Sequence, residues 1–320
     1  MNPLAASPDA IEAARGRLRG IAVRTPLVPL ELPNRTRPIH LKLETLQPVG
    51  SFKIRGAGSA ITAASRDRLA HGVYTASAGN MAQGVAWCAR AVGVPCTVIV
   101  PEHAPAAKIS AVERLGATVV PVPLDRWWQV MVERTYPGMD GLFVHPVSDP
   151  DVIAGNATIA AEILDDAPDT DTVLVPFGGG GLACGIALGL RARGSSARVF
   201  ACEVATAAPL SASLRAGKPT TVTRTPSFVD GIGIGSLLEE MWPLASTLLG
   251  GSLVSSVDDV ALAVRFLAER AHVIAEGAGA TSVAAAMTGQ AAGDHVVCVV
   301  SGGSLDLAKL ITILEGGVPS

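Results

Sequence analysis

Aromatic residues are scarce in this chain, 4% of 320, so its interior must be filled by aliphatic and small side chains. Charge of one sign is lacking too. With 25 basic and 28 acidic residues the net charge is −3, which gives no electrostatic footprint for nucleic acid or an anionic membrane surface and leaves a small molecule as the expected partner. The five cysteines (Cys88, Cys96, Cys184, Cys202, Cys298) stand singly in apolar stretches, with no C-x-x-C pair and no histidine at ligand spacing. That pattern excludes a disulfide scaffold and a zinc knuckle, and it predicts reduced core residues in a cytoplasmic protein. The first twenty residues hold no apolar signal core; Ser7-Pro8-Asp9 reads instead as a helix cap with proline at the first helical position, so no export is expected. No period of 20–50 residues repeats. One uncharged stretch, Val173 to Leu190, has the length of a membrane span, but Pro176 and four successive glycines break it into strand, loop and helix.

What is present is apolar and small. Hydrophobic residues make up 49% and glycines number 34, enough to cover both faces of parallel sheets in two α/β lobes. Short β-branched runs alternate with Ala-rich helical segments, the pattern of βαβ units. Strands are predicted at His40–Glu44, Gly72–Thr75, Cys96–Val100, Thr118–Val122, Leu142–His145, Thr172–Val175, Arg198–Cys202 and His295–Val300. Helices are predicted to open at Ser51, Asn80 and Asp149, and Gly116 and Gly250-Gly251 to act as stops. The Thr/Pro-rich stretch Gly217 to Pro226 reads as a surface excursion, and Gly231 to Gly235 as a loop.

Four segments carry chemistry. In Ser51-Phe52-Lys53-Ile54-Arg55-Gly56 a lysine falls in the first turn of a helix, where the dipole disfavours its ammonium form and favours an amine able to condense with an aldehyde. Phe177-Gly178-Gly179-Gly180-Gly181-Leu182 follows an apolar strand and opens a helix, so successive N–H groups can converge on an anion that a Cβ would hold away. The run lacks the Gly-Lys-Ser/Thr ending of a Walker loop and does not match G-x-G-x-x-G. Ser77-Ala78-Gly79-Asn80 turns from a strand end into another helix, and Ser301-Gly302-Gly303 ends the last strand with a hydroxyl that could meet a ring nitrogen.

Taken in order, these segments resemble the fold-type II enzymes of pyridoxal 5'-phosphate (PLP), the architecture of the tryptophan synthase β chain, and within it the serine/threonine dehydratase and serine racemase branch. The resemblance runs from Arg24-Thr-Pro-Leu27 through Leu41-Lys-Leu-Glu44, the Lys53 segment, Ser77 to Gln83, His145-Pro146, Asp149 to Gly155, the glycine loop and Glu276-Gly277-Ala278 to Ser301-Gly-Gly303. It implies an α/β chain of two lobes, each with a mostly parallel sheet flanked by helices: residues 1–69 with 145–320 as the PLP-binding domain, and 70–144 as a small domain. It implies Lys53 as the Schiff-base lysine and general base, with Ser77 beside it in catalysis. Phe52, Asn80, Gly178, Gly179, Gly180, Gly181, Leu182, Glu276 and Ser301 would hold the cofactor, and Ser77, Ala78, Gly79, Asn80 and Arg134 the substrate.

The implied activity is that of a lyase converting L-threonine or L-serine to a 2-oxo acid and ammonium, as a cytoplasmic homodimer. The alternative is dehydration of another β-hydroxy amino acid, of the hydroxyaspartate, phenylserine or hydroxyectoine-breakdown type. Racemases of this branch carry a hydroxyl where Ala78 stands, which ranks racemisation lower. Met81 replaces a histidine of the family pattern, and Gly155-Asn156-Ala157-Thr158 replaces Gly-Gln-Gly-Thr. Glu203 and Ala207 match a family cation site in part, but Pro209 takes the place of an aspartate, so a cation is allowed without being implied. Trp127-Trp128 reads first as packing between the small domain and a partner, and second as pocket lining.

Overall fold

The computed structural model describes residues 2–33 and 35–319. Ten strands form two sheets: β1 (Leu27–Leu30), β2 (Ile39–Leu43), β3 (Val73–Ala76), β4 (Cys96–Pro101), β5 (Thr118–Val122), β6 (Leu142–Phe143), β7 (Thr172–Pro176), β8 (Arg198–Val204), β9 (Ser252–Ser255) and β10 (Val296–Val300). The larger sheet has the order β1-β2-β10-β7-β8-β9, parallel except for β1; the smaller, β5-β4-β3-β6, is parallel throughout. Each forms the centre of one lobe. Helices cover them: α1 (Pro8–Arg17), α2 (Lys53–Ala63), α3 (Arg66–Leu69), α4 (Asn80–Val92), α5 (Ala106–Glu113), α6 (Leu124–Glu133), α7 (Pro150–Asp166), α8 (Gly181–Ala192), α9 (Pro209–Ala216), α10 (Trp242–Leu248), α11 (Val257–Phe266), α12 (Gly277–Met287) and α13 (Leu307–Leu314).

The sequence explains why the interior strands sit where they do. β10 reads VVCVV and β7 TVLVP, every residue buried, as strands covered on both faces require. β1 and β9 escape the sequence reading because both are short edge strands. Pro29 lies inside β1, which pairs on one side only, so its missing N–H costs no ladder bond. The helix starts follow local chemistry: Ser7 Oγ accepts from Ala10 N, and Asp149 Oδ1 accepts from Asp151 N and Val152 N. Asn80, by contrast, caps nothing. Gly79 is the cap residue of α4, which leaves the Asn80 amide for another partner.

The Val173–Leu190 stretch divides into β7, a loop and α8, and no helix among the described residues is long and apolar enough to cross a membrane.

Candidate active site

Two distant pieces of chain build the floor of a cleft of about 450 Å³. Segment 50–52 zips against segment 301–303: Phe52 N donates to Ser301 O (3.0 Å), Gly303 N to Gly50 O (2.9 Å), and Ser51 bridges Gly302. The pairing sets the start of α2 beside the end of β10. Helix α4 then packs so closely on α2 that a Cβ on Gly84 would stand 3.1 Å from the Lys53 carbonyl carbon.

Lys53, the first residue of α2, lines the cleft, and its Nζ donates to Pro146 O (2.9 Å) and lies 5.0 Å from the centre of the Phe52 ring. Burial pushes its pKa down to about 8, with Glu276 opposing. Desolvation is thus the larger cause, where the sequence suggests the helix dipole. An amine with that pKa is about half neutral near pH 8, against a negligible fraction at the ordinary lysine value. The rate at which PLP joins the apoprotein is therefore expected to climb with pH and level off above about 8. Stopped-flow absorbance of apoprotein mixed with PLP checks this, and a midpoint near the unperturbed value would contradict it.

Behind Lys53 lies a buried ionic network. Arg55 Nε and Nη2 donate to Glu44 (2.8 Å each), and Nη1 and Nη2 to Glu162 (2.7 and 2.8 Å). Lys42 Nζ donates to Glu162 Oε2 and to Thr25 O (2.6 Å each), and Thr25 Oγ1 to Glu44 Oε1 (2.7 Å). Burial opposes the charge on Arg55, and Glu44 and Glu162 overcome it, so its pKa is raised. The sequence shows these residues as motif letters only; that they meet depends on β2, α2 and α7 converging.

The glycine loop faces Lys53 across Pro146-Val147. A Cβ on Gly179 would stand 2.5 Å from Val147 Cγ2, and one on Gly181 2.8 Å from Val147 O, while Gly180 takes φ +94°, the left-handed region. The amide N–H groups of Gly178, Gly179, Gly180, Gly181 and Leu182 meet no acceptor among the described residues, at the N-terminus of α8. Five free donors in a cradle that side chains would fill fit a phosphate group. Gly181→Ala would force the loop off the Val147 carbonyl, and overpacking of that kind costs ~1–3 kcal/mol, so PLP affinity is expected to fall roughly 10- to 100-fold in equilibrium dialysis.

Asn80 Nδ2 donates to Glu276 Oε1 (2.7 Å), and a Cβ on Gly302 would stand 2.5 Å from that same oxygen. Burial, then Asp230, raises the Glu276 carboxyl to about 7, against the Asn80 bond and Lys108. Ser77 Oγ accepts from Gly79 N (3.2 Å), while the N–H groups of Asn80 and Met81 at the start of α4 meet no acceptor among the described residues. Ser77, Ala78, Gly79, Asn80, Phe52, Leu182, Glu276 and Ser301 all line the one cleft.

A match to a family model decides what such a cleft belongs to: residues 18–302 match the family described as pyridoxal-phosphate dependent enzyme. The chain belongs to that family. PLP is its cofactor, and the amine of Lys53, the glycine-loop amides and the Ser301 hydroxyl form a donor set that fits PLP. The chain is 38% identical over 283 residues to an L-threonine ammonia-lyase of Thermotoga maritima, covering 88% of this chain and 70% of that one. It is 34% identical over 317 residues to the L-threonine dehydratase catabolic TdcB of Staphylococcus aureus, with 96% and 92% covered. Among solved structures, maize serine racemase superposes with a TM-score of 0.89 at 30% identity, over 98% of each chain. The fold is that of the fold-type II PLP enzymes.

Some expectations land elsewhere in this PLP enzyme. Arg134 is not among the residues lining the cleft: it ends α6 in a left-handed conformation (φ 58°), and its Nη2 donates to Ser148 Oγ (3.0 Å) and Glu240 Oε1 (3.1 Å). Its guanidinium is engaged by these partners, not by the cleft. Glu203 does not stand as an open ligand either. Its carboxylate accepts Leu210 N (2.8 Å) and Ser211 N (2.7 Å) at the start of α9 and the Ser252 hydroxyl, and Ala207 pairs with Val204. No cluster of His, Cys, Asp or Glu suited to a metal occurs among the described residues.

Trp127 does line the cleft, with Leu124 of the same helix, so pocket lining, the second of the two readings, describes its place. Other lining residues were invisible to motif reading. Lys108, Asp230 and Arg224 reach the cleft from α5, from the loop before Gly231 and from the Thr/Pro-rich excursion. Only a hint existed in the sequence, the glycine cluster at Gly231–Gly235, whose Ile232 packs at 3.3 Å on the position a Cβ of Gly178 would take.

Proposed function

We propose that this enzyme eliminates water from L-threonine or L-serine and releases a 2-oxo acid and ammonium. The observation that carries the reading is the meeting, in one cleft, of a buried amine of lowered pKa, a free-amide cradle and a second helix N-terminus. The relatives named L-threonine ammonia-lyase and L-threonine dehydratase support it. PLP supplies the electron sink that makes the substrate Cα–H acidic. Lys53 holds the cofactor at rest and, as a neutral amine, takes the α-proton. The N–H groups of Asn80 and Met81, with the Ser77 hydroxyl, hold the substrate carboxylate at the positive end of α4. Ser301, a cleft residue with a neutral hydroxyl, would offer the cofactor ring nitrogen a hydrogen bond without a charge, a setting suited to expelling a β-leaving group. Phe52 would lie beside the cofactor ring, Gly178 to Leu182 would hold its phosphate, and the Asn80–Glu276 pair would order the opposite rim.

Ala78 supports lyase over racemase chemistry, because a methyl group has no proton to give the second face of Cα. The experiment is direct: holoenzyme with L-threonine, then L-serine, followed by 2-oxo acid release and chiral analysis of residual substrate. Racemised substrate without 2-oxo acid would sink the reading.

The same reading makes residues 70–144 a small domain beside 1–69 with 145–320. It is supported by β3 to β6 all falling within that span. It also includes a cytoplasmic homodimer. Five buried free cysteines support the reducing compartment, and light scattering giving a single-chain mass would refute the dimer.

A further inference from the structure

Five ionisable side chains line the cleft, and four of them are spoken for. Lys53 donates to Pro146 O, Glu276 accepts from Asn80, and Lys108 Nζ bonds Asp230 Oδ2 at 2.7 Å. Arg224 has neither an ion pair nor a hydrogen bond among the described residues, although both acids of the cleft are near enough to line it too. A lone exposed arginine is ordinarily a solvated one. This one sits on a segment pinned at two points, Val222 N to Gly235 O (2.8 Å) and Thr225 N to Thr206 O (3.0 Å), and its Nε lies 3.6 Å from the place a Cβ of Gly233 would occupy. The backbone that carries it is a fixed part of the wall.

Elimination from threonine or serine leaves it without a task. The substrate amine meets the cofactor, the α-carboxylate meets the start of α4, and a methyl or hydrogen on Cβ pairs with no cation. Resting on the lyase reading above, we infer that Arg224 determines specificity, and that the preferred substrate is a β-hydroxy amino acid carrying a second carboxylate on its side chain. A guanidinium offers such a group paired N–H donors that no other cleft residue supplies. Lys108 also lines the cleft, but it is already bonded to Asp230. The reaction stays redox-neutral: Cα loses its proton, the Cβ–O bond breaks and hydroxide leaves as water. The resulting enamine takes a proton at Cβ, and the imine takes up one water to give a 2-oxo dicarboxylate and ammonium.

The test compares L-threonine with the threo and erythro isomers of L-3-hydroxyaspartate on the holoenzyme and on Arg224→Gln and Arg224→Lys. One hydroxyaspartate isomer is expected to show the higher kcat/KM. Arg224→Gln is expected to lower that value about 10- to 100-fold, mainly through KM, as loss of a charged hydrogen-bond pair does. The loss on L-threonine should be at least about tenfold smaller, and Arg224→Lys should recover part of the difference. If threonine reacts and neither hydroxyaspartate isomer reacts better, or Arg224→Gln depresses both substrates alike, the inference falls and the lyase reading stands. If no compound yields a 2-oxo acid while the cofactor band is present, both fall.

Discussion

Lys53→Ala should abolish turnover and the visible absorption band of the bound cofactor together. On the proposed reading the side chain has two tasks, holding the aldehyde and moving the α-proton, and loss of the second alone would remove roughly 10²- to 10⁴-fold. Because Lys53 Nζ bonds, among the described residues, only the Pro146 carbonyl, and α2 keeps its backbone contacts without it, the variant should fold with thermal stability close to the parent's. That separates loss of chemistry from loss of structure. PLP should still bind weakly through the glycine-loop amides, detectable by dialysis without the band. A variant that keeps wild-type turnover would refute the assignment of the amine.

Arg55→Met should have the largest effect on stability. The substitution strands Glu44 and Glu162 against Lys42 alone in a region where Arg55, Glu44 and Lys42 are 2% exposed or less. Breaking a buried pair in this way costs ~3–5 kcal/mol, because two carboxylates cut off from water then share one ammonium, Lys42 on Glu162, and Glu44 keeps only the neutral donors Thr25 and Gln47. Denaturant unfolding measures it. The double variant Arg55→Met with Glu44→Gln leaves one carboxylate facing one ammonium, Glu162 and Lys42 at 2.6 Å, and should recover about half of the loss. A cost below about 1 kcal/mol for the single variant would mean that solvent or rearrangement relieves the charges.

How much of this was readable beforehand follows from where each signal lives. β7, the glycine loop and α8 are contiguous, so composition alone places an anion cradle there. Each of the eight predicted strands overlaps one in the structure; the interior ones have apolar runs buried on both faces, whereas β5 and β6 lie on the edges of the smaller sheet. β9 follows two glycines and lies on an edge, where patterning is weak. The position of Lys53 in a first turn is local information, whereas the cause of its lowered pKa, burial under a second helix and the cleft walls, is not. Arg134 is a different case: its spacing before His145 suggests a role toward substrate, and the partner it has here, Glu240, lies 106 residues on, beyond what spacing can show. Arg224 and Asp230 reach the cleft through irregular loops, for which no periodicity exists to read.

The pairing of segment 50–52 with 301–303 bears on when the enzyme becomes competent. β10, the tenth of the ten described strands in chain order, enters between β2 and β7, and the Ser301 hydroxyl arrives only with it. A nascent chain halted before residue 296 would own the amine and the phosphate cradle but hold the large sheet in two unjoined halves. Cofactor capture therefore waits until residues 296–303 have emerged, and it comes late on the folding route, after the least local contacts of the large sheet have closed.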